Sequence, residues 1–338
     1  MREPAQATAP PVFECRPLRR DELSQALAFL RETFPAGAHQ NRPGWFEWQY
    51  LKHPERFHVQ ICCHQGRIVA LSGFLPCVVN LASRSVRAAF STSTMVHPAF
   101  RRQGLGALLH RARLEAYDVA LSSGQSEANR NLYAKMGWSV LGGYFEARAR
   151  KGPPRARRLR AFAKETIAWL AWGLRPPEAR GRYALVPDKA RAHAWADRWG
   201  SQRFPAGAAG PMHDAAYVQW RYGDHPYFRY EMCVVHRDCD EIGAVVFRRD
   251  AHGIVFVDAY SAPGALPAVL AGMASASDAS VLRATATGRF LARAFRRAGW
   301  AVFTGVSLLI GATGKPDLQK ALRDADWNFF AGDSDKDR

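Results

Sequence analysis

The residues best placed to do chemistry lie in Thr94-Met95-Val96-His97-Pro98-Ala99-Phe100-Arg101-Arg102-Gln103-Gly104-Leu105-Gly106-Ala107. An apolar, strand-type run meets a proline turn, then a loop of Arg, Gln and Gly, then a helical pattern. The first amides of a helix have no intrahelical partner and sit at the positive end of its dipole. Glycines let a ligand approach the backbone closely, so the pattern predicts a cradle for phosphate. The spacing R-x-x-G-x-G of Arg101 to Gly106 is neither G-x-G-x-x-G nor G-x-x-x-x-G-K-[ST], which excludes a dinucleotide-binding turn and a Walker loop on motif grounds. The six cysteines, Cys15, Cys62, Cys63, Cys77, Cys233 and Cys239, form no C-x-x-C pair and have no histidine at zinc-finger spacing. They read as buried reduced thiols, with neither a metal cluster nor a disulfide framework.

The loop, taken with the V-x-P end of its strand at Val96-His97-Pro98, resembles the acyl-CoA signature [RQ]-x-x-G-x-[GA] of the GCN5-related N-acetyltransferases (GNAT). The segment Leu132-Tyr133-Ala134-Lys135-Met136-Gly137-Trp138 is similar to that family's L-Y-x-x-x-G-[FW] element. The resemblance implies acetyl-CoA as cosubstrate, without a metal. It also implies that the amides of Gln103, Gly104, Leu105, Gly106 and Ala107 hold the pyrophosphate beside Arg101 and Arg102, with backbone at Met95 and Val96 pairing with the pantetheine arm. Tyr133 becomes the catalytic candidate: a phenol of pKa about 10 can hydrogen-bond or protonate a departing thiolate whose conjugate acid has a pKa near about 8.5. The activity implied is transfer of acetyl to an amine by direct attack in a ternary complex.

Two positions depart from the family pattern. The stretch Ala88 to Val96 carries Ser91, Thr92, Ser93 and Thr94 where many members have a glutamate, so the general base is not identified. Glu47, His53 and His64 are candidates by chemistry. Ser126 stands seven residues before the tyrosine, where an asparagine is usual, and Asn129 is the amide offered in its place.

These residues need elements to hold them. At roughly 150 residues per domain, a chain of 338 residues predicts two units. Trp48-Gln49-Tyr50-Leu51-Lys52-His53-Pro54 recurs as Trp220-Arg221-Tyr222-Gly223-Asp224-His225-Pro226, an offset of 172 residues. At the same offset Ile61-Cys62-Cys63-His64 faces Cys233-Val234-Val235-His236, and the 132–138 segment is echoed by Ala294-Phe295-Arg296-Arg297-Ala298-Gly299-Trp300. Long-period self-similarity of this kind indicates two copies of one fold. The duplication of His53 and His64 at His225 and His236 favours structural roles for both, and that of Trp48 and Tyr50 favours the core.

Apolar periodicity predicts, in the first copy, a strand near 13–18, helices near 21–33 and 45–51, and strands at 57–63, 67–79 and 85–96. A helix from Leu105, a strand near 118–122 and a helix at 127–136 ending at Gly137 follow. The fold class is α/β (α+β): two GNAT-like folds in tandem, each a mixed central sheet flanked by helices. Residues 12–150 form the catalytic unit, 151–182 a basic amphipathic linker helix and 183–338 a degenerate copy. In that copy Phe295 stands for Tyr133, and Tyr260-Ser261-Ala262-Pro263-Gly264-Ala265-Leu266-Pro267 lacks the phosphate donors.

The formal charge of +17 is concentrated. Between Arg148 and Arg182 eleven Lys and Arg face two Glu, a net of +9. Leu159, Phe162, Thr166, Ile167 and Leu170 mark one face of the linker helix. It reads either as a surface helix on anionic lipid, with Trp169 and Trp172 as interfacial residues, or as a helix packed across the two units with its arginines in water. The second is preferred, because charged faces on connecting helices are common. No nucleic-acid reading motif is present, no apolar run reaches the roughly 18 residues of a spanning helix, and the start lacks a secretory core, so the expected compartment is the cytoplasm. The acceptor expected is a small-molecule or polymer-linked amine. Two competing readings are a non-catalytic acyl-CoA-binding regulator and a tandem aminoacyl or peptidyl transferase.

Overall fold

The computed structural model describes residues 12–55, 58–154 and 159–333. The first half runs β1 (Glu14–Pro17), α1 (Leu23–Thr33), β2 (Val59–His64), β3 (Arg67–Leu81), β4 (Arg84–Val96), α2 (Leu105–Ala116), β5 (Val119–Ser123), α3 (Glu127–Lys135) and β6 (Ser139–Arg150). A wide π-helical turn occupies Glu47–Leu51. The linker helix is α4 (Leu159–Gly173). Arg155, Arg157 and Arg158 of the basic linker, and Phe57 at the start of the expected second strand, lie outside the described residues.

The second half repeats the order: β7 (Tyr183–Pro187), α5 (Lys189–Trp199), β8 (Ala208–Met212), α6 (Ala215–Val218), β9 (Glu231–Arg237), β10 (Asp240–Asp250), β11 (Gly253–Tyr260), α7 (Leu266–Ala276), β12 (Val281–Thr287), α8 (Arg289–Arg297) and β13 (Ala301–Ala312). It closes with α9 (Pro316–Asp324), β14 (Asp326–Trp327) and β15 (Phe329–Phe330).

Both halves are mixed sheets, as their sequences predict, but the sheets are fused. The strand path is β1-β2-β3-β4-β5-β13-β6-β12-β11-β10-β9-β7. It reads the same from either end once each strand is replaced by its repeat partner. At its centre the halves exchange strands: β13 inserts between β5 and β6, pairing Ile310 with Ser122 and Val140, and β6 in turn pairs along β12 from Arg150–Val281 to Tyr144–Thr287. The exchange leaves the inner ends of both sheets hydrogen-bonded, so neither half presents an open edge there.

The W-x-Y-x-x-H-P repeat lies on the pseudo-two-fold relation between the halves. The Trp48 and Trp220 rings stack at 5.2 Å and 13°. Each indole N–H donates to the other residue's carbonyl, at 2.9 and 2.8 Å. His53 packs edge-on to Trp220 and His225 against Trp48. The duplicated motif is therefore a reciprocal clasp between copies, buried as expected for both Trp48 and Tyr50.

The cysteine expectation needs correction. Antiparallel pairing of β1 with β2 sets Cys15 opposite Cys62, and the two form a disulfide with a Cα–Cα distance of 4.0 Å. Cys63, the next residue on the strand, points to the other face and is a free buried thiol, as is Cys233; Cys77 is half-buried and Cys239 exposed. Residue spacing alone could not reveal the pair, because it depends on the register of a strand 47 residues away.

Candidate active site

Strands β4 and β5 are parallel neighbours only over Ala88–Phe90 and Val119–Leu121. Beyond those pairs they separate, which opens the sheet between the end of β4 and Ser122. Within the free part of β4 the pairing to β3 shifts between Leu71 and Gly73, and Ser93 takes φ +51°, the mark of a bulge that bends the strand out of the ladder. Hydroxyls gather there. Thr94 bonds Ser72 and Ser91 at 2.7 and 2.8 Å, Thr92 bonds Tyr50 at 2.8 Å, and the buried Ser93 hydroxyl has no partner among the described residues. Gly73 is required here, because a Cβ would fall 2.1 Å from the Tyr50 oxygen.

After Val96 the chain turns on Pro98–Phe100, stabilised by the His97 ring, which accepts from the Ala99 amide at 3.3 Å and approaches Glu32. Arg101 Nε donates to the Val96 carbonyl at 3.3 Å. Arg102 and Gly104 have φ of +65° and +82°, so the backbone coils tightly into the helix start. No side chain caps α2, whose N-cap is Gly104, so its first-turn amides are free of a side-chain cap. The two glycines of the motif do different work. A Cβ at Gly104 would meet nothing within 4 Å, open space in front of the amides, whereas one at Gly106 would lie 3.1 Å from Leu132 and push α3 away.

These parts line a cleft of about 670 Å³. Met95, Val96, Arg101, Arg102, Gly104, Leu105, Gly106, Ala107 and Asn129 all border it. Gln103 does not; its amide donates to the Ala99 carbonyl at 3.5 Å. Ser126 both lines the cleft and caps α3, accepting from the Asn129 amide at 3.3 Å. Lys135 adds a third cation beside Arg101 and Arg102. Sequence reasoning missed it, although Ala128, Leu132 and Lys135 recur at helical spacing on the face of α3 that meets the cleft.

Tyr133 sits on the adjoining face of α3, 1% exposed, and is not on the cleft lining. Its ring packs against Trp138 and His110, with centroids at 4.3 and 4.7 Å. Beside it lies Arg113, which is fully buried without an acidic partner among the described residues. That guanidinium lies over the rings of Trp138 and Phe74 at 4.9 and 5.6 Å, and meets His110 Nδ1 at 3.2 Å. Burial lowers the Arg113 pKa, with Tyr133 opposing the shift. Burial and the nearby guanidinium push His110 down to about 2, so the imidazole is neutral.

The three candidate bases lie elsewhere. Glu47 is exposed. His64 bonds the Val12 carbonyl. His53 accepts from the Glu55 amide at 3.1 Å within the tryptophan clasp, and burial drives its pKa down to about 4. None lines the cleft between α2 and α3.

In the second half the loop into α7, residues 260–265, carries no arginine or lysine. Leu266 and every residue of Val269–Ala274 are buried, Pro267 occupies the first turn, and Phe295 fills the core against Phe145, Phe256 and Trp300. The one group of potential metal ligands among the described residues, His213, Asp258 and Asp333, is an ion-paired core. Arg203 bridges both carboxylates and the His213 ring lies between them. Burial alone would depress Arg203, but the two carboxylates hold its pKa above the ordinary value. A further cleft of about 620 Å³, between β6 and α8, is lined by Arg289, Arg293, Arg296 and Arg323.

A parted pair of parallel strands leading to an uncapped, cation-flanked helix start has the shape and charge to take an extended ligand that ends in phosphates. Residues 14–141 match the family model described as acetyltransferase (GNAT) domain. No curated protein matches the chain. Among solved structures it is similar to a GCN5-related N-acetyltransferase from Kribbella flavida (13% identity, 89% of this chain and 71% of that chain, TM-score 0.59). It is also similar to a GCN5-related N-acetyltransferase from Anabaena variabilis (9%, 89% and 72%, 0.61) and to Eis1 from Mycobacterium abscessus (15%, 92% and 76%, 0.55). At such identities the likeness is one of fold, and it spans both halves.

Proposed function

We propose that the chain is an acyl-CoA-dependent N-acyltransferase that binds acetyl-CoA in the first-half cleft and passes the acetyl group to an amine by direct attack in a ternary complex. The observation that carries this reading is the uncapped start of α2, with Gly104 left-handed and open space before it, flanked by Arg101, Arg102 and Lys135. First-turn amides and the dipole suit a pyrophosphate, and the three cations suit its charge. The free edge of β4 at Met95 and Val96 offers backbone groups to the amide-bearing arm of the cosubstrate.

Tyr133 is assigned to the departing thiolate. In the step proposed, the amine nitrogen bonds the thioester carbon, the C–S bond breaks, and the sulfur takes a proton from the phenol. Support comes from its place next to Leu132, which lines the cleft, and from the nearby buried Arg113, whose positive charge favours the phenolate formed. Because the ring is buried, the reading requires the thioester end to enter between α2 and α3. The proton shed by the amine passes to solvent at the open cleft, and the phenolate takes one back from solvent, which restores the phenol.

The test is an acceptor screen with acetyl-CoA and longer acyl-CoAs, reading released thiol and acylated product by mass. The reading expects acyl-CoA-dependent product that disappears in Gly104→Trp. Acyl-CoA binding without product from any amine would favour a non-catalytic acyl-CoA-binding protein instead.

A further inference from the structure

Helix α4 packs on β6 and β13 through the side that carries Lys164, Glu165, Ala168 and Trp172, so Trp172 is packed inside and not at an interface with lipid. Ala168 and Trp172 are its buried residues. Lys164 pairs with Glu146 at 2.8 Å and lies over the Phe303 ring, and Glu165 pairs with Arg150 at 3.3 Å. The apolar stripe faces away from the protein. Leu159, Phe162, Ile167, Trp169 and Leu170 are 84, 43, 51, 40 and 50% exposed, and Leu174 just beyond the helix 81%. They make up six of the ten large hydrophobic residues exposed among the described residues. This reverses the preferred sequence reading, in which the arginines face water and the apolar face is packed. A helix held by its other side, with a contiguous apolar stripe outward, marks an interaction surface.

We propose that α4 lies on the surface of an anionic membrane, with Leu159, Phe162, Trp169, Leu170 and Leu174 entering the headgroup boundary. Charge selects this occupant. The stripe lies within the Arg148–Arg182 segment, whose net charge is +9 of the chain's +17, with Arg148, Arg150 and Lys164 engaged by Glu146 and Glu165 on the packed side. Arg160 and Arg180 on this segment are exposed, suited to reach headgroup phosphates while the apolar side chains enter. A tryptophan on the outward face suits the amphipathic boundary. No helix among the described residues is long and apolar enough to span a membrane, so the contact proposed is peripheral.

The experiment is co-flotation of the full chain with phosphatidylcholine vesicles, with and without phosphatidylglycerol, at low and high salt. The proposal expects binding that is at least about tenfold stronger with the anionic lipid and weakened by salt. Phe162→Asp and Leu170→Asp, both at exposed positions, should each lower that binding about tenfold while leaving the thermal midpoint unchanged. Three results would overturn it: no vesicle binding, binding indifferent to lipid charge and to both substitutions, or a vesicle-indifferent dimer in sedimentation that Leu170→Asp dissociates. The last would assign the stripe to a second copy of the chain.

Discussion

At the scale of single residues, groups placed to touch a ligand differ from groups that hold the protein together. Tyr133 lies on the line between them. As the acid for the leaving thiolate, Tyr133→Phe should lower turnover by about 10²-fold or more with acetyl-CoA affinity nearly unchanged. Phenylalanine occupies the repeat position at Phe295 in a closed aromatic core, so the substituted ring has a precedent in this fold. Loss of binding together with turnover would show that Tyr133 only packs. His53 and His110 belong to the holding class, and their effect is on stability. Their pKa values in the fold, about 4 and about 2, lie below the ordinary value of 6.5. The unfolded chain therefore binds more protons over that range, and stability present above pH 6.5 is lost as pH falls toward those values. The limit is about 1.4 kcal/mol per pH unit for each ring. Thermal melts from neutral to acidic pH should show the decline, and His53→Gln should flatten it.

At the scale of elements, the sequence carried the order of helices and strands because each has a strong local period. The motif loop was equally readable, since its glycines and arginines are contiguous. What joins distant elements was not readable. The Cys15–Cys62 bridge depends on strand register, and the contact of Gly106 with Leu132 depends on how α2 meets α3. The bridge packs in the cluster with Val69, Ala70, Leu105 and Leu109, beneath the start of α2. Opening it should therefore affect the cleft. Replacing both cysteines by serine is expected to cost about 2–4 kcal/mol, by the loop entropy of the unfolded chain, and to weaken acetyl-CoA binding. A chemical denaturation series on reduced and oxidised protein measures the first effect. Equal midpoints would show that the bridge contributes nothing.

At the scale of the whole molecule, the repeat announced two copies, and the mirrored strand path agrees. Sequence could not show that the copies trade strands at β13 and β6, or that the W-x-Y-x-x-H-P motifs clasp each other instead of packing within their own halves. Periodicity likewise found the apolar stripe of α4 but not which way it faces, because amphipathicity carries no information about the partner. The two halves differ at this place. One half lines an open cleft with arginines at the start of α2, whereas the loop into its counterpart α7, residues 260–265, carries no arginine or lysine. The direct measurement of that asymmetry is calorimetric titration of the full chain with acetyl-CoA. One site per chain, abolished by Gly104→Trp and retained in Gly264→Trp at the start of the second-half helix, is the predicted result. Two sites, or one site that survives Gly104→Trp, would contradict it.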